Sequence, residues 1–239
     1  MIISKTPFRI SFVGGGSDHF NHKSIVPGKV ICTTINKYMY VNINRKYDDK
    51  VRLSYSITEN KNNVKQLDHL IIKKSLEYFK IKKGIEITTL ADIPSSGSGL
   101  GSSSALCVGL TKALNKYKGK EIDKESLSRT AAMIEIEKCN KPIGMQDHYA
   151  AAYGGFNIIR FFKNEHVDIQ PIIAEQSTIK ELQENLIIFY LGKRRKASQI
   201  LKDQKKNIID DSEKIKTLYS MTKLVDELAM SITNADLKQ

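Results

Sequence analysis

The sequence predicts an α+β fold, and three observations carry that prediction. Short β-branched segments crowd the first half without regular alternation with helices, which argues against a doubly wound sheet. A stretch rich in glycine and serine runs straight into an apolar helix. The end of the chain is helical in pattern and rich in lysine. At 239 residues the chain suits one large domain or two small ones. A chain of this size buries roughly 70–75% of its unfolded surface, enough for a core without staples.

Taken in order, Phe8–Val13 alternates loosely and ends at Gly14-Gly15-Gly16, a strand entering a tight turn. Val30–Thr34, Tyr38–Ile43 and Val51–Tyr55 read as further short strands. Val64–Lys80 has helical apolar spacing through Leu67, Leu70, Ile71, Tyr78 and Phe79. Ile85–Leu90 is a strand. After the loop Pro94–Ala105, an apolar helix continues to about Tyr117. Asp123 suits the N-cap of a helix through Glu137, with Leu127, Ala131 and Ile134 on one face. Phe156–Phe162 and Leu186–Leu191 are strands, and the chain from Ala197 onward is helical.

Composition excludes several classes. Hydrophobic residues make up 41% and charged residues 27%, ordinary globular values. No run approaches the ~18 apolar residues of a membrane helix, and the N-terminus has no secretory signal. Cys32, Cys107 and Cys139 share no metal-type spacing and read as reduced thiols of a cytoplasmic protein. The formal net charge is +12, yet only seven of the 38 basic residues are arginines and the lysines are scattered. That is a solvated surface rather than a nucleic-acid stripe, so neither nucleic acid nor membrane is expected as a partner. The oligomeric state is left open.

The chemistry concentrates in Pro94-Ser95-Ser96-Gly97-Ser98-Gly99-Leu100-Gly101-Ser102-Ser103-Ser104-Ala105. Its glycines allow positive φ and close approach of backbone to a ligand. Its serines open a helix, where free N–H groups and the helix dipole attract an anion such as phosphate. The hydroxyls are hard ligands suited to Mg²⁺. No Gly-Lys-Ser/Thr closes the loop, so it is not a Walker A motif. The plain alternative is a flexible turn with a serine N-cap.

The Gly-Leu-Gly-Ser-Ser-Ser-Ala core resembles the phosphate loop of the GHMP kinases, the superfamily of galactokinase, homoserine kinase, mevalonate kinase and phosphomevalonate kinase. That resemblance implies ATP and Mg²⁺ as cofactors. Pro94, Gly97, Gly99, Leu100, Gly101, Ser102, Ser103 and Ser104 would hold the nucleotide, and Ser103 would ligate the metal. Lys141-Pro142-Ile143-Gly144-Met145-Gln146-Asp147 resembles the family's Pro-x-Gly-x-x-Asp segment, which implies Asp147 as the base. Counting back from Pro142, Glu135 falls at the family's metal-binding Glu; Glu137 points elsewhere on a helix, because i and i+2 share no face. For Asp147 the alternative is an N-cap of a short helix over His148–Tyr153.

Pro7–Asp18 presents Ser17 and Asp18 from a loop after a strand. Asp18 suits vicinal sugar hydroxyls, and Arg9 would orient a neighbouring Asp; the alternative is an exposed β-turn. Gly-Gly-Gly-Ser-Asp, with Gly144–Asn157, resembles the heptose kinase and fucokinase branch. This implies phosphorylation of the anomeric hydroxyl of a sugar phosphate, D-glycero-D-manno-heptose 7-phosphate, for surface polysaccharide; a fucose or hexose acceptor, or an inactive sugar- or nucleotide-binding remnant, is the alternative. The implied substrate residues are Arg9, Gly15, Gly16, Ser17, Asp18, Gln146, Asp147, Tyr149 and Gly154. His148 stands where Gln is usual. Tyr190–Ser198 also resembles this branch, and Arg195 and Ser198 suit a second phosphate; a basic surface turn is the alternative. The resemblance divides the chain into an N-terminal domain, 1–180, and a partial C-terminal domain, 181–239. After Gly192 there is no glycine, so the family's third, glycine-rich motif is expected to be missing by C-terminal truncation.

Overall fold

The computed structural model describes residues 1–19, 27–94, 98–189 and 212–237. The fold is α+β, with two compact units interleaved in sequence: residues 1–9 with 35–153, and residues 10–34 with 154–239. The sequence alone predicts a single boundary, at 180/181. Two long strands, β1 (Ile2–Val13) and β2 (Gly28–Arg45), pair with each other and pass from one unit to the other.

In the first unit, β2 pairs antiparallel with β5 (Ile85–Ala91), from Met39 opposite Ala91 to Arg45 opposite Ile85. β5 pairs in parallel with β3 (Val51–Ser54), which forms a hairpin with β4 (Thr58–Lys61). The parallel pair requires a crossover, supplied by α1 (Leu70–Tyr78). Period-2 alternation puts Val41, Ile43, Val51, Leu53, Ile85 and Ile87 on the buried side. Against them lies α2 (Ser102–Tyr117), apolar on nearly every face because it is buried on nearly every face. α3 (Lys124–Met133) and α4 (Gln146–Tyr153) pack on α2. Asp123 caps α3 as expected, accepting from the Ser126 amide at 2.8 Å.

In the second unit, residues 28–33 of β2 pair antiparallel with β6 (Phe156–Phe161), and β6 with β7 (Val167–Pro171). Ile31, Ile158, Val225 and Ile232 form its core, joined by Phe12 and Phe156 with ring centroids 5.6 Å apart. Among its described residues the unit also holds α5 (Gln176–Glu184) and α6 (Ser212–Thr233); Lys29 ties α6 to β2 through Asp226 at 2.6 Å.

Several expected elements differ. The two strands at 30–34 and 38–43 are one, because nothing between them breaks the extended backbone. The helix expected over 64–80 is a short 3₁₀ turn, Val64–Gln66, followed by α1, which His69 initiates by accepting at Nδ1 from the Ile72 amide. Residues 186–189 carry no strand, and 190–191 lie outside the described residues. No described helix is long and apolar enough to cross a membrane.

Candidate active site

The site in the first unit is built on the start of α2. Its N-cap is Gly101, in the left-handed region at φ 72°, so the serine N-cap of the plain alternative is not found. No side chain caps this terminus, and the first amides of a helix have no intrahelical acceptor. Gly99 is also left-handed, at φ 74°. Of the other expected loop residues, Leu100 packs partly on the core, Ser102 and Ser103 are half-buried, Ser104 is buried and Pro94 is exposed. Gly97 lies outside the described residues.

Arg9, on β1, reaches this loop. Its Nε and Nη2 donate to Oδ1 and Oδ2 of Asp147 at 2.8 Å each, a two-pronged pair, and its Nη1 donates to the Gly99 carbonyl at 2.7 Å. The Arg9 amide donates to the Leu100 carbonyl at 3.2 Å. One side chain therefore ties the strand, the glycine loop and the carboxylate together. The fork geometry fixes the carboxylate's plane as well as its position. Asp147 does not cap its helix: α4 begins at Gln146, so Asp147 stands inside the first turn and its oxygens go to Arg9. Its side chain remains 22% exposed, open to a ligand.

A second carboxylate lies deeper. The chain after α3 widens into a π turn, Ile134–Lys138, which directs Glu135 fully inward and leaves Glu137 exposed. Wide turns of this kind recur at functional sites. Glu135 Oε2 accepts from Ser104 Oγ at 3.0 Å and from His148 Nε2 at 2.9 Å, while Oε1 accepts from Lys141 Nζ at 2.8 Å. Burial opposes ionisation of this carboxyl, but His148 and Lys141 outweigh it and hold the group well below the usual carboxylate range. It is a buried, ionised carboxylate, hard in donor type. The serine that hydrogen-bonds it is Ser104. Among the described residues no three His, Cys, Asp or Glu side chains gather as a metal cage. Mg²⁺ needs none, since it commonly takes one or two carboxylates together with substrate phosphates and water. Glu135 and the half-buried hydroxyl of Ser103 therefore fit such an ion in donor type.

Three expected substrate residues make hydrogen bonds within their own units. Tyr149 is fully buried and donates to Glu125 at 2.9 Å, because two residues beyond Asp147 it faces the other side of α4. Ser17, in the second unit, spends its hydroxyl on the turn: it donates to the Gly14 carbonyl at 2.7 Å and accepts from the Lys29 amide at 2.9 Å. The Gly154 carbonyl accepts from Asn157 Nδ2 at 2.7 Å, also in the second unit. There too, Gly15 and Gly16 are half-buried in the turn, and Asp18 is buried behind it. Gln146 is half-buried at the start of α4; Arg195 and Ser198 lie outside the described residues. Lys141 and His148 were not anticipated as partners of Glu135. The only sequence signal was their position on either side of the Pro142–Asp147 segment.

Residues 63–155 match the family described as GHMP kinases N terminal domain. The chain is 28% identical to the D-glycero-alpha-D-manno-heptose 7-phosphate kinase of Campylobacter jejuni over 98% of its own length and 72% of that protein's. It is 26% identical to the galactokinase of Pyrococcus furiosus, over 99% of this chain and 64% of that one. Among solved structures, a D-glycero-D-manno-heptose 1-phosphate kinase from Bacteroides thetaiotaomicron superposes with a TM-score of 0.82, at 24% identity, over 99% of this chain and 74% of that one.

Proposed function

We propose, for a chain whose residues 63–155 are a GHMP kinase N-terminal domain, that it transfers the γ-phosphoryl group of ATP to a sugar phosphate, D-glycero-D-manno-heptose 7-phosphate. The observation that carries the reading is the two-pronged Arg9–Asp147 pair set against the glycine loop at the start of α2. A phosphoryl-transfer site needs anion donors beside a carboxylate able to take the acceptor's proton. The described part of the loop supplies the first, through the amides of residues 102–104 and the helix dipole. Asp147 supplies the second: it accepts the hydroxyl proton as the sugar oxygen bonds to the γ-phosphorus and the bond to ADP breaks. Arg9 holds that carboxylate in a single orientation.

Mg²⁺, held by Ser103 and Glu135, would neutralise charge on the phosphate oxygens. Asp18 would accept hydrogen bonds from sugar hydroxyls, and Arg195 with Ser198 would take the second phosphate. The heptose assignment draws on the Campylobacter relative and on the Gly14–Asp18 sequence; the galactokinase likeness makes a free hexose the competing acceptor.

The test is Mg²⁺-dependent ADP release from ATP with D-glycero-D-manno-heptose 7-phosphate, beside free heptose, fucose, galactose and glucose. Turnover confined to the phosphorylated heptose is expected. Turnover on a free hexose would overturn the acceptor. None on any sugar, from folded protein, would overturn the kinase reading and leave a binding remnant. Asp147→Asn should lower turnover at least ~10²-fold, the scale of general base catalysis, while ATP still binds. Unchanged turnover would remove Asp147 as the base.

A further inference from the structure

Glu135 is fully buried, whereas the cation on it is partly exposed. The carboxylate is fully buried, and Ser104 and His148 both hold Oε2. Oε1 accepts from Lys141 Nζ at 2.8 Å, and the Lys141 side chain is 31% exposed. The lysine's backbone is anchored, since its amide donates to the Ile136 carbonyl at 3.1 Å and to the Glu135 carbonyl at 3.4 Å, closing the π turn. Pro142 follows and restricts φ at the next position. On this anchored backbone the partly exposed four-carbon stem can change rotamer without moving the chain. His69 and Cys139 lie within electrostatic reach of this ammonium, so its neighbourhood holds further titratable groups.

We propose that Lys141 is an exchangeable counter-ion for Glu135: it occupies the carboxylate oxygen that a divalent cation would use, leaves when the cation enters, and turns to the nucleotide's phosphates. The second half rests on the kinase reading above. Two reasons support exchange. A buried carboxylate without a cation is costly, so the site needs a partner at every stage. An ammonium and a divalent ion on one carboxylate oxygen repel strongly, so the two cannot share it. Ser104, on the same carboxylate, belongs to the first turn of α2, where the triphosphate would lie. The freed ammonium is thus tethered beside the anion whose charge it can meet. Lys141 acts here as a positioning residue that times metal entry, and its exchange makes metal and nucleotide binding cooperative.

The test uses the whole chain with Lys141→Met, which keeps length and loses charge, and Lys141→Arg, which keeps charge. Manganese paramagnetic resonance on nucleotide-free protein reads the first half. Lys141→Met should bind Mn²⁺ about fivefold more tightly than the parent, the scale of a partly exposed ion pair, and Lys141→Arg should not. Fluorescence of a methylanthraniloyl-ATP probe at saturating Mg²⁺ reads the second half: Lys141→Met should bind it about tenfold more weakly, as expected for one lost charge-assisted contact. Circular dichroism melting confirms that each variant folds. Equal Mn²⁺ affinity in parent and Lys141→Met, or no Mn²⁺ binding by either, would overturn the exchange. Tighter Mn²⁺ with unchanged probe binding would overturn the turn to phosphate. A parent that binds Mn²⁺ but never the ATP probe would overturn the kinase reading, with the exchange still decided by the Mn²⁺ arm.

Discussion

Gly101 is the residue on which the site closes. A Cβ there would lie 3.3 Å from Arg9 Cγ and 3.3 Å from Asp147 Oδ2, on a backbone already at φ 72°. Gly101→Ala should therefore cost about 1–2 kcal/mol from the left-handed conformation alone, and press on the pair that orients Asp147. The expected result is a melting temperature lower by several degrees and turnover reduced at least tenfold, read by calorimetry and steady-state kinetics. Unchanged values would mean that the loop relaxes freely around a new methyl. The glycines and serines of this loop were legible in the sequence, because the need for positive φ beside a helix start leaves a local signature. So was Asp147 as a carboxylate of interest. That Arg9 reaches it was expected only in kind. The 138-residue separation of the two is bridged by folding, and no periodicity reports it. That Ser104 is the serine hydrogen-bonded to Glu135 also escaped, since adjacent serines at a helix start differ only in which face they present.

Among the elements, α2 explains both what was legible and what was not. Its all-round apolarity marked it as buried, and β1 approaches it so closely that only glycine fits at position 109. A Cβ there would meet Thr6 Oγ1 at 2.6 Å and Ser4 Oγ at 3.1 Å, and Ser4 donates to the Gly109 carbonyl at 2.8 Å. In an ordinary helix, glycine to alanine gains about 1 kcal/mol. Here overpacking should reverse the sign, so Gly109→Ala should lose on the order of 1–3 kcal/mol by urea denaturation; a gain would show that β1 can withdraw from α2. Elements with long apolar periods were found from sequence. Those missed, β4, β7 and α5, are short or largely exposed, so their patterns carry few buried positions to count. The π turn after α3 was read as plain helix, because one extra residue in a turn changes direction without changing composition.

At the scale of the whole molecule the interleaved units were not legible, since a strand that leaves one unit for another keeps the same alternation throughout. The pH dependence of stability, by contrast, follows from four titratable groups of the first unit. Glu135 is held well below its ordinary 4.5 by His148 and Lys141 against the opposing effect of burial. The unfolded chain therefore binds the extra proton first, and this contribution is lost as the pH falls below about 4.5. Burial also holds His69 below its ordinary 6.5, with Glu59 opposing and Lys141 assisting. The unfolded imidazole charges while the folded one stays neutral, so stability already declines as the pH falls through 6.5. On the alkaline side the signs reverse. Burial, with Glu135 adding, raises the Cys107 thiol well above its ordinary 9.0, and burial followed by the bond to Glu125 raises Tyr149 above its ordinary 10.0. Both stay protonated in the fold after the unfolded chain has released its protons, so stability falls again above about pH 9. Urea midpoints measured from pH 4 to 10 should trace a plateau between roughly 6.5 and 9 with a decline on each side. His69→Asn keeps a side-chain acceptor at the start of α1 and should remove only the step near 6.5. If the parent's midpoint stays flat from pH 7 to 5, or His69→Asn leaves that step in place, His69 is not the group that sets the upper acid limb.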